Sequence, residues 1–114
     1  MKKKNIIKSS REYTEIIKNS KYVKNSGFII YFQKGNKINR YGISVPTKTG
    51  KANVRNKIKR QIKNIIDINE TSIQKPFNYV IIIRKGLLEL SYQEKEISLL
   101  NLLKKIGENN EKEK

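Results

Sequence analysis

The sequence has 114 residues, of which 26 are Lys or Arg and 10 are Asp or Glu, for a formal charge of +16. A chain of this length makes one domain around one hydrophobic core. It contains neither cysteine nor histidine, which excludes disulfides and thiolate metal sites and removes the commonest general base and zinc ligand.

The opening "MKKKNIIKSS" begins like the basic end of a signal peptide, but Ile6 and Ile7 are followed at once by Lys8, so the required apolar stretch is missing. The longest apolar runs, "FIIYF" (28–32) and "YVIII" (79–83), are too short to span a bilayer. The expectation is a cytoplasmic protein with no membrane partner. In "SSREYTEIIKNS", Ser9 and Glu12 form a capping box, and Tyr13, Ile16 and Ile17 recur at helical spacing, which predicts a helix over 10–19. A short strand around Tyr22 and Val23 is weakly indicated. "GFIIYFQK" (27–34) is β-branched and aromatic, and Gly35-Asn36 offers a turn into "RYGISVP" (40–46), so the two segments read as a hairpin.

The segment "GKANVRNKIKRQIKNI" (50–65) carries six cations and no acid. Val54, Ile58, Ile62 and Ile65 lie along one helical stripe, with Arg55, Lys59 and Lys63 beside it and Lys57 and Arg60 continuing around the free face. Asn53 is a candidate cap. "NYVIIIR" (78–84) is apolar on both parities, as a central or doubly covered strand is. Ser91 and Glu94 make a second capping box, ahead of Ile97, Leu100, Leu103 and Ile106 at helical spacing. The predicted class is α+β with a mixed sheet, in a single domain over 1–106, and the polar end 107–114 is expected to fray.

The distribution of charge points to function. Residues 16–66 hold thirteen basic side chains and no acidic one, whereas residues 67–114 hold eight of each. So concentrated a field suits a polyanion. Grouped carboxylates for a metal, a histidine pair, or a nucleophile with its base are all missing, so no catalytic residue and no metal ligand is assigned. On strand 28–34, Phe28, Ile30 and Phe32 share one face and Ile29 and Tyr31 the other. Helices in so small a domain are expected to cover one face and leave an open platform for unstacked bases. Any one of these five residues is more readily a core residue, except Tyr31, whose hydroxyl favours a wet rim. The residues alone indicate a non-enzymatic RNA- or DNA-binding domain, with RNA preferred.

The stretch "YGISVPTKTGKANVRNKIKRQIK" closely resembles the signature of the bacterial ribonuclease P protein component: an apolar strand, a lysine-containing loop ending in Gly, and a helix of the form R-N-R-x-K-R. The resemblance extends through "KKKN", "EYTEII", "FIIYF" and "YVIIIRKG" to the capped last helix. It implies an αβββαβα sandwich with a four-stranded mixed sheet and a left-handed βαβ crossover, where the general rule is right-handed. It also implies a subunit of an RNA enzyme, in which a catalytic RNA with bound Mg²⁺ removes the 5′ leader of precursor tRNA; no obligate protein partner is inferred. By the same resemblance, Arg55, Asn56, Lys59 and Arg60 contact RNA, with Lys57, Lys63, Lys48 and Lys51 around them, and Tyr13, Ile17, Phe28 and Tyr31 line a cleft for the leader. The sequence departs from the family pattern at several positions. Lys57 replaces the motif's second arginine and loses its fork, Ile17 replaces an aromatic, Pro46 and Thr47 stand where serine and lysine are common, and Lys51 stands where asparagine is common. An RNA chaperone or ribosomal protein with no part in cleavage is the alternative.

Overall fold

A computed structural model describes the backbone of residues 1–112 and the side chains of residues 1–107. Helix α1 (Ser10–Asn19) starts where Ser9 Oγ accepts the Glu12 amide at 3.3 Å. Strands β1 (Lys21–Lys24), β2 (Phe28–Lys34) and β3 (Arg40–Ser44) follow, then helix α2 (Ala52–Ile68), strand β4 (Phe77–Ile83) and helix α3 (Tyr92–Lys112). At α3 the capping box is reciprocal: Ser91 Oγ accepts the Glu94 amide at 3.2 Å and Glu94 Oε1 accepts the Ser91 amide at 2.9 Å. These hydrogen bonds hold the Glu94 carboxyl below its usual range. The backbone of α3 runs on to Lys112, and the rest of the expected frayed end lies outside the described residues.

The sheet order is β1-β2-β4-β3, antiparallel except for the β3–β4 pair. The expected hairpin of β2 with β3 is therefore wrong, because β4 lies between them. Five connecting residues, Gly35 to Asn39, reach about 17 Å when extended, ample to cross the roughly 10 Å of two strand spacings. The centre goes to β4 because both its faces are apolar. Asn39, 6% exposed, secures the arrangement. Its Oδ1 accepts the Phe77 amide at 2.8 Å, and its Nδ2 donates to the Gln74 carbonyl and the Tyr41 hydroxyl.

The main core lies on one face, where α2 (Ile58, Ile62, Ile65, Ile66) and α3 (Leu99, Leu102, Leu103, Ile106) pack on Phe28, Ile30, Phe32, Tyr41, Tyr79, Ile81 and Ile83. Val54 and Ile97, expected on the apolar stripes, are exposed, so the buried stripe of α2 begins at Ile58 and that of α3 is centred on Leu99 and Leu102. Each buried isoleucine of α2 is worth about 1.5–3 kcal/mol, against about 0.2–0.5 kcal/mol for each like-charge pair on the helix surface. Burial therefore keeps this cationic helix folded.

The opposite face is half covered. Helix α1 buries Ile16 against Ile7 and Val80, with Tyr13, Tyr31 and Ile82 around them. It starts at the β3 edge, where Arg40 donates from both terminal guanidinium nitrogens to the Glu12 carboxylate, and ends directly before β1 at the other edge. What remains is a cleft beside α1 in place of the expected open platform.

Candidate nucleic-acid interface

Two surfaces make up the site, and the turn that precedes α2 joins them. On α2, Asn56, Lys57 and Arg60 are exposed, while Arg55, Lys59 and Lys63 are half-buried at the border of the apolar stripe. Lys51 occupies the N-cap position with no side-chain cap, and no acidic residue lies in the first turn. Asn53, the candidate cap, instead has its Oδ1 on the neighbouring Val54 amide. Apart from the Val54 amide, the first turn of α2 thus presents amides without a side-chain cap beside cations, an arrangement favourable to anions. Arg55 Nε donates to the Gly50 carbonyl at 3.2 Å and ties the incoming loop to the helix. Lys48 stands exposed in that loop, in a 3₁₀ turn at Thr47–Thr49.

Polar contacts to α3 fix how α2 presents these groups. Lys95 Nζ donates to Gln61 Oε1 at 2.8 Å, Asn64 Nδ2 to the Tyr92 hydroxyl at 2.7 Å, and Asn69 Nδ2 to Glu96 Oε2 at 2.9 Å. Burial, and then the nearby Lys57, push the Lys95 ammonium below its ordinary value.

The second surface is the cleft. Residues sharing its face follow from the register: Gly42, Val80, Tyr31 and Tyr22 in one row, and Ser44, Ile82, Ile29 and Lys24 in the next. The Tyr13 ring lies on Gly42, where an added Cβ would stand 2.4 Å from the ring, and burial raises its hydroxyl pKa. Ile17 is 38% exposed, and Tyr31 is half-buried. Phe28 is a correction. It is 0% exposed and belongs to the main core, because it is odd-spaced from Tyr31 on the same strand and so faces the opposite way. Its expected place in the cleft is taken by Ile29, half-buried on the Tyr31 face.

At the open end of the cleft a groove of about 630 Å³ is lined by Ile29, Ile82, Pro46, Lys48, Thr49, Arg84, Lys85 and Leu88 among others. The apolar floor continues the sheet face, and the rim carries three cations. Arg84 and Lys85 are absent from the sequence-based site. Their signal was a basic pair directly after the central strand. Lys48 lines this groove and also precedes α2 by a few residues, so the cations of the helix and those of the groove form one surface. Such a surface can hold a phosphate backbone and offer rings to unpaired bases. Among the described residues no group of three or more Asp, Glu, His or Cys side chains is placed to hold a metal, and no helix is long and apolar enough to cross a membrane.

Comparison with known proteins identifies the family. The sequence profile of the family "Ribonuclease P" matches residues 1–107. The ribonuclease P protein component of Mycoplasma mycoides subsp. mycoides SC is 44% identical over 110 residues, covering 93% of this chain and 99% of that protein. The counterpart from Streptococcus agalactiae serotype III is 42% identical over 108 residues, covering 94% and 98%. Among solved structures, the RNase P protein from Thermotoga maritima superimposes with a TM-score of 0.82 at 36% identity, covering 87% of this chain and 94% of that one. A mutant RNase P protein of Staphylococcus aureus gives 0.86 at 29% identity, covering 92% and 90%. With the family profile matched over residues 1–107 and relatives 42% and 44% identical over nearly the whole length, this chain belongs to the ribonuclease P protein family.

Proposed function

We propose that this chain is the protein subunit of ribonuclease P, that α2 and its leading turn bind the catalytic RNA, and that the cleft beside α1 holds the unpaired 5′ leader of precursor tRNA. The observation that carries the reading is the continuity of the site. Lys48 belongs both to the approach to the basic helix and to the rim of a groove whose floor leads to Tyr31. One polyanion can therefore be held by the helix while a single strand lies along the cleft. Charge-assisted contacts from Lys48, Lys51, Arg55, Lys57, Lys59, Arg60 and Lys63 supply affinity, Asn56 adds a neutral donor, and Tyr13, Ile17 and Tyr31 meet bases.

Cleavage in this reading belongs to the RNA. The described side chains offer no metal cage, and the Mg²⁺ that assists hydrolysis is assigned to RNA phosphates, with no step routed through this protein. The chain contributes by neutralising phosphate repulsion and by fixing where the leader lies, which positions the scissile bond. Family membership disfavours the alternative of an RNA chaperone or ribosomal protein. The test is processing of precursor tRNA by the cognate catalytic RNA at low Mg²⁺, with and without this protein. Stimulated release of the leader is expected. RNA binding without stimulation overturns the assignment in favour of a chaperone.

A further inference from the structure

We propose that Tyr22, with Lys24 beside it, forms a second base-stacking position on the exposed edge strand β1, for a leader nucleotide farther from the cleavage site than the one at Tyr31. The inference rests on the leader reading above and extends it to a part of the surface that the motif residues do not reach.

Tyr22 pairs directly with Tyr31 across the β1–β2 ladder, so both side chains rise on the cleft face. The ring centroids are 5.5 Å apart with planes inclined at 46°. Tyr31 is half-buried between its neighbours, whereas Tyr22 is 54% exposed, so much of the pair's ring surface open to solvent belongs to Tyr22. Lys24 pairs with Ile29, shares this face and is exposed. An edge strand is ordinarily protected by charge, which accounts for lysines on β1 but not for a large aromatic placed half in water beside another. The direction follows from the reading above, in which the catalytic RNA lies on α2 beside Lys48 and the leader runs away from it across the strand order. A single strand that enters over Lys48 and Arg84 and crosses the sheet meets β3 and β4 first, then Tyr31 on β2, and leaves over Tyr22 on β1. Stacking tolerates any base, because every base has a π-face, and Lys24 is placed to meet the phosphate beside that base.

The experiment uses the reconstituted holoenzyme and precursor tRNAs whose leaders lengthen one nucleotide at a time, with mature tRNA as the zero-length member. Wild-type affinity is expected to rise in two steps. Tyr31→Ala should remove the first step, while Tyr22→Ala should leave short leaders unaffected and weaken only the longer ones, by about fivefold or more. Tyr22→Phe keeps the ring and should behave as wild type. Lys24→Gln should lower the salt dependence on long leaders alone, by about 0.7 in log K against log salt. Tyr22→Ala matching wild type at every length overturns this proposal and leaves the leader cleft standing if Tyr31→Ala still acts. Equal losses at every length, mature tRNA included, also overturn it, since Tyr22 would then serve the fold. A wild-type affinity that ignores leader length altogether removes the leader reading itself.

Discussion

Tyr31 and Tyr41 lie on opposite faces of the same sheet, and different experiments report on them. Tyr31 is half-buried beside the cleft, so Tyr31→Ala should weaken holoenzyme binding to precursor tRNA by about five- to a hundredfold and leave mature tRNA binding nearly unchanged. Equal losses toward both RNAs, with a large fall in melting temperature, would instead mark a residue of the fold. Tyr41 is 3% exposed, stacked on Tyr79 with ring centroids 5.4 Å apart, and burial pushes its pKa up to about 12, with Tyr79 raised further. An unfolded tyrosine ionises near pH 10. Between there and pH 12 the unfolded chain therefore holds fewer protons than the folded one, and stability falls as pH rises. It should be fully present below about pH 10 and decline above it by about 1.4 kcal/mol per pH unit for each such tyrosine. Denaturant titrations at pH 9, 10 and 11 test this, and Tyr41→Phe should flatten the decline. Phe28 shows why residue-level roles were only partly legible. The sequence placed it opposite Tyr31 by strand alternation, yet the family pattern assigned both to one cleft, and alternation decides the matter because a strand cannot turn both side chains the same way.

At the scale of elements, local signals were sufficient wherever structure is made locally. Ser9 and Ser91 mark two of the three helix starts, and the span 10–19 for α1 coincides with the observed helix. The β2–β3 pairing failed because Gly35-Asn36 signals a turn but not which strand lies beyond it. That outcome depends on β4, more than thirty residues downstream, and on the buried Asn39 that joins β3 to it. The partial cover of the second face was likewise illegible, since it depends on a contact 28 residues apart. Glu12 has left its own cap's reciprocal bond to pair with Arg40, and this pair, whose hydrogen bond also raises the Arg40 pKa, sets where α1 sits on the sheet. Both side chains are about a third exposed, so the pair's coupling should be about 0.2–1 kcal/mol in a double-mutant cycle of Arg40→Ala and Glu12→Ala. The larger effect is expected on function. Loss of the pair loosens α1 and should raise the Kd for leader-bearing RNA more than that for mature tRNA. A cycle that shows stability coupling but no leader dependence would separate α1 placement from leader binding.

For the whole molecule, salt should act in opposite directions on the free protein and on its complex. Within α2 the pairs Arg55–Lys59, Lys59–Lys63, Lys57–Arg60 and Arg60–Lys63 are like-charged at three- or four-residue spacing, each costing about 0.2–0.5 kcal/mol at low salt. Raising the ionic strength to 1 M shortens the screening length to about 3 Å, so the free protein should become more stable by up to about 1–2 kcal/mol, read as a higher melting temperature in a non-kosmotropic salt such as NaCl. Binding to RNA should weaken over the same range, because each neutralised phosphate contributes a slope of roughly −0.7 to −0.9 in log K against log salt. Lys59→Ala and Arg60→Ala should each make that slope shallower by about one such step, and each removes two of the four repulsive pairs, so the free protein should lose little stability or gain some. The combination is diagnostic. Cations that serve only solubility would give the stability effect without the binding slope, whereas a cationic face shaped for RNA gives both. Unchanged affinity in both variants, with normal circular dichroism, would take α2 out of the interface. A flat salt dependence of binding would remove the electrostatic basis of the site as a whole.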